Sequence, residues 1–182
     1  MRIVVVSGWD RARDPAIERL RGVLADELGI EPADVPLSRR CGHCGSVEHG
    51  RPRVAMPDVD VGIAHSRHVL VLAVAHGTRV GIDVEVPRRR THDRLERLAA
   101  RILDESAFGA WRAGDPGERH TAFLRAWTTK EAYVKALGVG ITVPLRSIDP
   151  IAHGWHVTPL ALGEGAVATL VSEHRVAVEV TD

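Results

Sequence analysis

The segment from Phe123 to Gly138 places the strongest constraint on what this chain can fold into. Its apolar residues recur at helical spacing and predict an amphipathic helix with one buried face. They are Phe123, Trp127, Val134 and Leu137. The same face passes through Lys130, with Glu131 beside it. Charged side chains on a face that is otherwise apolar are costly to bury unless they are compensated, and such a conflict often marks a functional site.

Composition sharpens this observation, because Lys130 and Lys135 are the two lysines among 24 lysine and arginine residues. An ammonium group is a compact charge that can donate a proton, whereas a guanidinium effectively cannot. The simpler alternative is an i,i+4 ion pair between Glu131 and Lys135, which would contribute roughly 0.2–0.5 kcal/mol on an exposed helix face. Because that alternative leaves Lys130 unexplained, we interpret the helix as part of a site.

Size and charge narrow the classes of protein. A chain of 182 residues can bury one core, as a single domain or as two small lobes. Its formal net charge is zero, so no overall field attracts nucleic acid or membranes and any site for a polyanion must be local. The N-terminal apolar run is too short for a signal peptide and no run approaches transmembrane length, so we predict a cytoplasmic monomer with neither type of partner.

The order of the predicted elements indicates an α+β fold, with two similar lobes at residues 1–80 and 81–182, each a small antiparallel sheet packed with helices. Predicted strands cover residues 3–6, 61–65, 69–75 and 80–86, and residues 155–158, 167–171 and 176–180 form a closing antiparallel meander. Residues 31–60 are predicted to be irregular. Predicted helices cover residues 15–28, 95–103 and 108–111 besides the central one, with Asp14, Thr91 and the box 115–118 as N-terminal caps.

A second chemical pattern is the segment Gly81-Ile82-Asp83-Val84-Glu85. Residues two apart on a strand point to the same face, so Asp83 and Glu85 would present two carboxylates together on the exposed face. Paired acids on a strand can hold a hard divalent cation such as Mg²⁺. The alternative is the ordinary alternation of polar and apolar residues in a half-exposed strand. We favour the functional interpretation, because Glu131 and the two lysines add further charged groups to this carboxylate pair.

The two cysteines lie in the segment Cys41-Gly42-His43-Cys44, with His49 nearby. A C-x2-C pair is half of a zinc site, and His43 or His49 could add ligands. A second C-x2-C pair is missing from the sequence. We therefore favour a turn with reduced thiols and keep metal binding as the alternative.

Two short segments complete the pattern that we compare with known families, Gly50-Arg51-Pro52 and Gly62-Ile63-Ala64-His65-Ser66. With G-I-D-V-E at 81–85 and F-x-x-x-W-T-x-K-E-A-x-x-K at 123–135, they resemble, in the same order, motifs of the 4′-phosphopantetheinyl transferases of the surfactin-synthetase (Sfp) type. The resemblance covers residues 45–182. Arg51 stands where the family's G-K-P element has lysine, and Ala64 replaces the serine of its N-I-S-H-S element.

The resemblance implies transfer of the phosphopantetheine arm of coenzyme A to a serine of an apo acyl- or peptidyl-carrier protein, with release of adenosine 3′,5′-bisphosphate. By similarity, Asp83, Glu85 and Glu131 hold Mg²⁺, with Mn²⁺ as an alternative. Also by similarity, the coenzyme A contacts come from Arg51, His65, Lys130 and Lys135.

Glu131 and Lys135 are the candidate catalytic residues. Glu131 would accept the serine proton directly or through water, and Lys135 would neutralise or protonate the leaving group. Two other functions stay open, a Mg²⁺-dependent hydrolase or nucleotidyl enzyme and a non-catalytic homologue that binds coenzyme A or carrier protein. The N-terminal segment that contacts the nucleotide in the family has no clear counterpart here, and Arg19 and Arg21 cannot be aligned to it.

Overall fold

A computed structural model describes residues 1–41, 44–88, 90–140, 142–163 and 165–181, and confirms the predicted α+β class. The helices in the described ranges are α1 (Ala16–Leu28), α2 (His92–Ile102), α3 (Glu105–Ala113) and α4 (Arg119–Leu137). The strands of the N-terminal half are β1 (Arg2–Val6), β2 (Leu37–Arg40), β3 (Arg51–Val54), β4 (Val59–Ser66), β5 (Val69–His76) and β6 (Val80–Glu85). They are followed by β7 (His156–Ala161), β8 (Val167–Ser172) and β9 (Glu179–Thr181).

The strands form two larger sheets and one two-stranded ribbon. The first sheet has the order β4-β5-β1-β9 and the second the order β6-β8-β7, while β2 and β3 pair with each other. The predicted meander is confirmed for β7 and β8, which pair antiparallel, but it is wrong for the last strand. β8 is flanked by β6 and β7, so it has no open edge, and β9 instead pairs parallel to β1 in the first sheet.

The antiparallel β2–β3 ribbon lies within residues 31–60, which were predicted to be irregular, so that prediction is wrong. Its register runs from Leu37 opposite Val54 to Arg40 opposite Arg51. Each strand has four residues and is rich in arginine, and β3 also contains Pro52. Short strands of this composition have weak intrinsic strand signals, so the ribbon depends on its packing against β4.

The helix termini match the predictions in part. Thr91 caps α2 as predicted, since its side chain accepts a hydrogen bond from the Arg94 amide. Asp14 does not cap α1, whose N-cap residue is Pro15, and Glu118 precedes α4 without a side-chain cap. The capping-box prediction therefore fails. The Asp115 side chain accepts from the Gly117 amide and stabilises the preceding turn instead.

The contact between α4 and β6 positions most of the predicted site. Gly81 is the residue that permits it, because a Cβ atom there would lie 1.9 Å from the carbonyl oxygen of Ala132. The helix backbone therefore lies directly on one face of β6. None of the described helices is long and apolar enough to span a membrane.

The two larger sheets share one hydrophobic core. Buried side chains of β1, β5, β6 and β8 form a single cluster that includes Ile3, Val71, Ile82 and Leu170. Gly62 of β4 also lies close to Ile82, because a Cβ atom at position 62 would be 3.0 Å from its Cγ2 atom. The predicted division at residue 80 stays a prediction, and β9 joins the sheet built from the first 80 residues.

Candidate functional site

A cavity of about 1300 Å³ lies between β4, β6, α4 and the β2–β3 ribbon. Four of the predicted site residues line it, namely Arg51, His65, Glu131 and Lys135. They come from three different elements, β3, β4 and α4, so the cavity brings together side chains up to 84 positions apart in the sequence, counted from residue 51 to residue 135. A concave site of this size that gathers several ionisable groups is typical of a ligand-binding site.

Asp83 lies behind this cavity wall, and its predicted exposure on the strand face is wrong. The residue is buried, with 7 % of its surface exposed. The cause is α4, which covers the face of β6 that the alternating pattern assigned to solvent. One oxygen of Asp83, Oδ1, accepts a hydrogen bond from Nζ of Lys135 at 2.5 Å. Lys135 itself belongs to α4 and reaches back from the helix to the strand.

Two carboxylate oxygens of this centre are buried without a hydrogen-bond partner among the described residues, Oδ2 of Asp83 and Oε1 of Glu131. Burial raises the pKa of Asp83 to about 6, although Lys135 acts in the opposite direction. Burial also raises the pKa of Glu131, and the negative charge of Asp83 raises it further. Buried polar atoms are rarely left unpaired, so these oxygens indicate a site that accommodates a cation or a donor.

Glu85 lies at the end of β6 and is partly exposed. The hydroxyl of Ser66 donates to Glu85 Oε2 at 3.0 Å and accepts from the Val86 amide at 3.1 Å. Ser66 therefore fixes one oxygen of the third carboxylate. Sequence analysis singled out the segment 62–66 but assigned no role to Ser66, because its distance from Glu85 depends on the packing of β4 against β6.

His65 lies at the rim of the cavity, where its ring centroid is 5.0 Å from that of Trp9. Its pKa is lowered chiefly by partial burial, with smaller contributions from the positive charges of Arg11 and Lys135. Trp9 and Arg11 also line the cavity and were missed by sequence analysis. They lie in the turn region before α1, which carries no motif.

Arg19 and Arg21, which were considered for a nucleotide contact, have other partners. Arg19 forms an ion pair with Asp14, and Arg21 pairs with Glu18 and donates to the carbonyl of Val35. Neither lines the cavity.

Arg51 is anchored at the edge of the ribbon. Its Nη2 atom lies 2.5 Å from Oδ2 of Asp60 and 3.0 Å from the carbonyl oxygen of Val80. The same Asp60 oxygen accepts from the Val80 amide at 2.9 Å. Asp60, which sequence analysis did not identify, thus connects β3, β4 and the beginning of β6, and it holds the guanidinium beside the cavity.

Lys130 does not line the cavity, and its predicted contact with coenzyme A stays a prediction. Its side chain is buried on another side of α4, where Nζ donates to the carbonyl oxygen of Ile148 at 2.5 Å. Burial lowers its pKa. The helix pattern therefore marked a charge that is indeed buried. The ammonium of Lys130 connects α4 to the segment after the 3₁₀ helix Leu145–Ser147.

Residues of the cysteine region also contribute to the lining of the cavity. Cys41 and His49 line it, and the ligand atoms of Cys41, Cys44 and His49 all lie within 4.8 Å of one another. Sγ of Cys44 is 3.3 Å from Nε2 of His49. Gly42 and His43 lie outside the described residues, so the prediction for His43 as a ligand is not addressed. The metal-binding alternative, which the sequence disfavoured, gains support from this arrangement.

Comparisons with known proteins agree with the geometry. The family model of the 4′-phosphopantetheinyl transferase superfamily matches residues 79–179. A 4′-phosphopantetheinyl transferase of Bacillus subtilis is 30% identical over 131 residues, which cover 71% of this chain and 53% of the relative. The transferase HetI of Nostoc is 30% identical over 165 residues, which cover 83% of this chain and 66% of the relative. Sfp of Bacillus subtilis is 25% identical over 135 residues, which cover 74% of this chain and 55% of the relative.

The chain spans about half to two thirds of the length of these curated relatives. The family match covers more than half of the chain and includes β6 and α4, which carry Asp83, Glu85, Glu131 and Lys135. Together with Glu131 and Lys135 at the cavity, and Asp83 paired with Lys135 behind its wall, this match shows that the chain belongs to the 4′-phosphopantetheinyl transferase superfamily.

Proposed function

We propose that this protein transfers the 4′-phosphopantetheine arm of coenzyme A to a serine of an apo acyl- or peptidyl-carrier protein and releases adenosine 3′,5′-bisphosphate. One observation carries the proposal. Asp83 and Glu131 each keep a buried, unpartnered carboxylate oxygen beside the ammonium of Lys135, at the wall of a cavity large enough for a nucleotide. The family membership supports the same reaction.

The three carboxylates fit a divalent cation. Asp83, Glu85 and Glu131 would hold Mg²⁺, or Mn²⁺ as an alternative, because both ions prefer oxygen ligands and the two unpartnered oxygens have no hydrogen-bond partner among the described residues. Such a cation supplies a positive charge that stabilises negative charge on phosphate oxygens.

The chain's own cations would bind the diphosphate of coenzyme A. Arg51, His65 and Lys135 surround one cavity, and Asp60 restrains the guanidinium of Arg51. The Nη2 atom of Arg51 is engaged by Asp60 and Val80, so Arg51 would contact a phosphate through its other guanidinium N–H groups, and Lys135 acts as a point charge. Trp9 offers an aromatic surface near His65 on the same wall. Lys130 contributes indirectly by holding α4.

The chemical step requires one proton acceptor and a stabilised leaving group. The serine oxygen of the carrier forms a bond to the phosphorus that bears the pantetheine arm, while the bond from that phosphorus to the bridging oxygen of the diphosphate breaks. Glu131, whose pKa is raised, accepts the serine proton directly or through water. Lys135 neutralises or protonates the leaving oxygen. Positioning and charge neutralisation supply most of the acceleration in such transfers.

We further propose a cytoplasmic monomer without nucleic-acid or membrane partners. The support is the formal net charge of zero, with 24 acidic and 24 basic residues, which leaves no overall field for a polyanionic surface.

The deciding experiment incubates the purified protein with coenzyme A, Mg²⁺ and a panel of apo acyl- and peptidyl-carrier proteins. We expect at least one carrier to gain the mass of a single phosphopantetheine arm, and the gain to disappear when Mg²⁺ is chelated or when Asp83→Asn replaces the native protein. Breakdown of coenzyme A without carrier modification would indicate a hydrolase. Binding of coenzyme A without its breakdown and without carrier modification would indicate a non-catalytic homologue. The hydrolase result and the binding-only result would each contradict the proposal.

A further inference from the structure

The segment between β2 and β3 forms a closed loop whose two ends lie against each other. Arg40, the last residue of β2, precedes Cys41, and Gly50 precedes Arg51, the first residue of β3. Gly50 has a φ angle of 112°, and a Cβ atom there would lie 2.6 Å from the carbonyl carbon and oxygen of Arg40. Only glycine permits this approach, which places His49 beside Cys41.

Backbone hydrogen bonds link Cys41 to the residues that follow Cys44. The Cys41 amide donates to the carbonyl of Ser46 at 2.8 Å, and the Gly45 amide donates to the carbonyl of Cys41 at 2.9 Å. Gly45 has a φ angle of 74°, in the left-handed region that favours glycine. These bonds return the chain after Cys44 toward Cys41. The side chains that could bind a metal are therefore gathered by the backbone and not by chance contact of long side chains.

The resulting set of two thiols and one imidazole has the chemistry of a zinc site. In a tetrahedral zinc site, bond lengths of about 2.3 Å to sulfur and 2.0–2.1 Å to nitrogen place neighbouring ligand atoms about 3.6 Å apart. The Sγ of Cys44 and the Nε2 of His49 are already 3.3 Å apart, and all three ligand atoms lie within 4.8 Å of one another. Thiolate ligands select zinc over the hard cation proposed for the carboxylates.

We propose that Cys41, Cys44 and His49 bind one Zn²⁺, with water in the fourth position, at a site separate from the carboxylates of Asp83 and Glu131. Binding releases the protons of the two thiols and leaves a neutral complex of Zn²⁺, two thiolates and one imidazole.

The zinc ion would clamp the loop end of the ribbon. His49 is two residues before Arg51, and both line the same cavity. Cys41 directly follows the residue that pairs with Arg51 in the ribbon register. A metal that joins Cys41 and His49 therefore holds both strand ends at the point where Arg51 enters the cavity, so the site has a positioning role.

The test measures metal content and does not depend on transfer activity. The protein is expressed with added zinc, purified under reducing conditions and analysed by mass spectrometry for bound metals. We expect about one zinc per chain, and at least about 100-fold weaker zinc binding for Cys44→Ser and His49→Gln, since even the loss of a residue that only orients a ligand weakens metal binding 10- to 100-fold. His92→Gln is the matched control, because His92 is an exposed histidine of α2 and should leave binding unchanged.

Cobalt substitution distinguishes the two candidate metal sites. The chain has only two cysteines, so a thiolate-to-cobalt charge-transfer band would have to come from Cys41 and Cys44. We expect this band in the native protein and in Asp83→Asn, and its loss in Cys44→Ser. Zinc-free protein with both thiols reactive, a protein lighter by two hydrogens because of a disulfide, or cobalt bound without the band would each overturn the proposal.

Discussion

The two walls of the cavity are built on different principles. The wall formed by β6 and α4 has a six-residue strand and a 19-residue helix, which meet at Gly81 and bury Asp83 and Glu131. The other wall includes a ribbon of two four-residue strands with Cys41, His49 and Arg51 at its loop end. The first wall is rigid through packing and accommodates buried charge. The second has little core of its own, so it depends on the Asp60 ion pair and on the proposed zinc.

The largest effect that we predict concerns the close contact of the first wall. Gly81→Ala would place a methyl group 1.9 Å from the Ala132 carbonyl oxygen, which belongs to helix backbone and cannot move alone. We expect a loss of more than about 3 kcal/mol in the free energy of unfolding, measured by urea denaturation.

Gly22→Ala in α1 is the control for this substitution, because a Cβ atom there would have no neighbour within 4 Å. We expect it to stabilise the protein by about 0.5–1 kcal/mol, as alanine does in a helix interior. Equal stability of the two variants would show that α4 does not pack on β6 as described.

The pH dependence of stability tests the buried charge of the first wall. Because the pKa of Asp83 is raised from 3.8 to about 6, the folded protein binds more protons than the unfolded chain between these values. Stability should therefore fall as pH rises through this window, by about 3 kcal/mol for this group. Asp83→Asn cannot ionise, so in chelator its stability relative to the native protein should rise by that amount between pH ~4 and pH ~7.

Addition of Mg²⁺ at neutral pH extends this experiment. A cation held by the carboxylates stabilises the folded protein by mass action, so the native protein should gain stability with Mg²⁺ and Asp83→Asn should gain less. Parallel pH profiles of the two proteins, with no response to Mg²⁺, would contradict both the raised pKa and the proposed cation site.

The catalytic prediction tests whether the carboxylate of Asp83 in the first wall is needed for transfer. Asp83→Ala removes an oxygen donor of the proposed cation site and the partner of Lys135, and we expect transfer to fall at least about 100-fold, a barrier change of about 2.7 kcal/mol. Asp93→Ala, in the exposed first turn of α2, serves as control and should keep full activity. A folded Asp83→Ala variant with full activity, checked by circular dichroism, would refute the assignment.

The two lysines of α4 offer a matched pair of substitutions. Lys135→Arg keeps the charge but replaces a compact proton donor beside Asp83, so we expect turnover to fall at least about tenfold, or about 1.4 kcal/mol, with a smaller change in KM for coenzyme A. Lys130→Arg crowds a buried position and should lower the melting temperature while turnover of the folded protein changes less. If steady-state kinetics showed a large loss of turnover for Lys130→Arg and little loss for Lys135→Arg, Lys130 would be the catalytic lysine and Lys135 the structural one.

The smallest effect is expected at the ribbon. Asp60→Asn keeps an acceptor for the Val80 amide but removes the charge that anchors Arg51. We expect KM for coenzyme A to rise about fivefold, about 1 kcal/mol, with little change in kcat. A fall in kcat with unchanged KM would mean that Arg51 acts on the reacting atoms and not on binding.

Local patterns in the sequence were sufficient for several features. The helical spacing from Phe123 to Leu137 and the β-branched runs of β4 to β6 predicted these elements, because hydrophobic periodicity reports the buried face of a single segment, although Leu137 at the helix end is exposed. The order of the short motifs indicated the family, which the family match confirms. The unusual lysines of α4 correctly marked a helix with buried charge, since a charged residue in an apolar stripe needs a partner wherever the helix packs.

Only the tertiary structure decided which partner each charge obtains. The alternation in β6 could not show that α4 covers the face of Asp83, and the helix pattern could not show that Lys130 meets Ile148 while Lys135 meets Asp83. The same holds for Ser66 with Glu85, Asp60 with Arg51 and β9 with β1, which join segments distant in sequence. Periodicity describes one element at a time, whereas burial and the resulting pKa values depend on what other elements place over it.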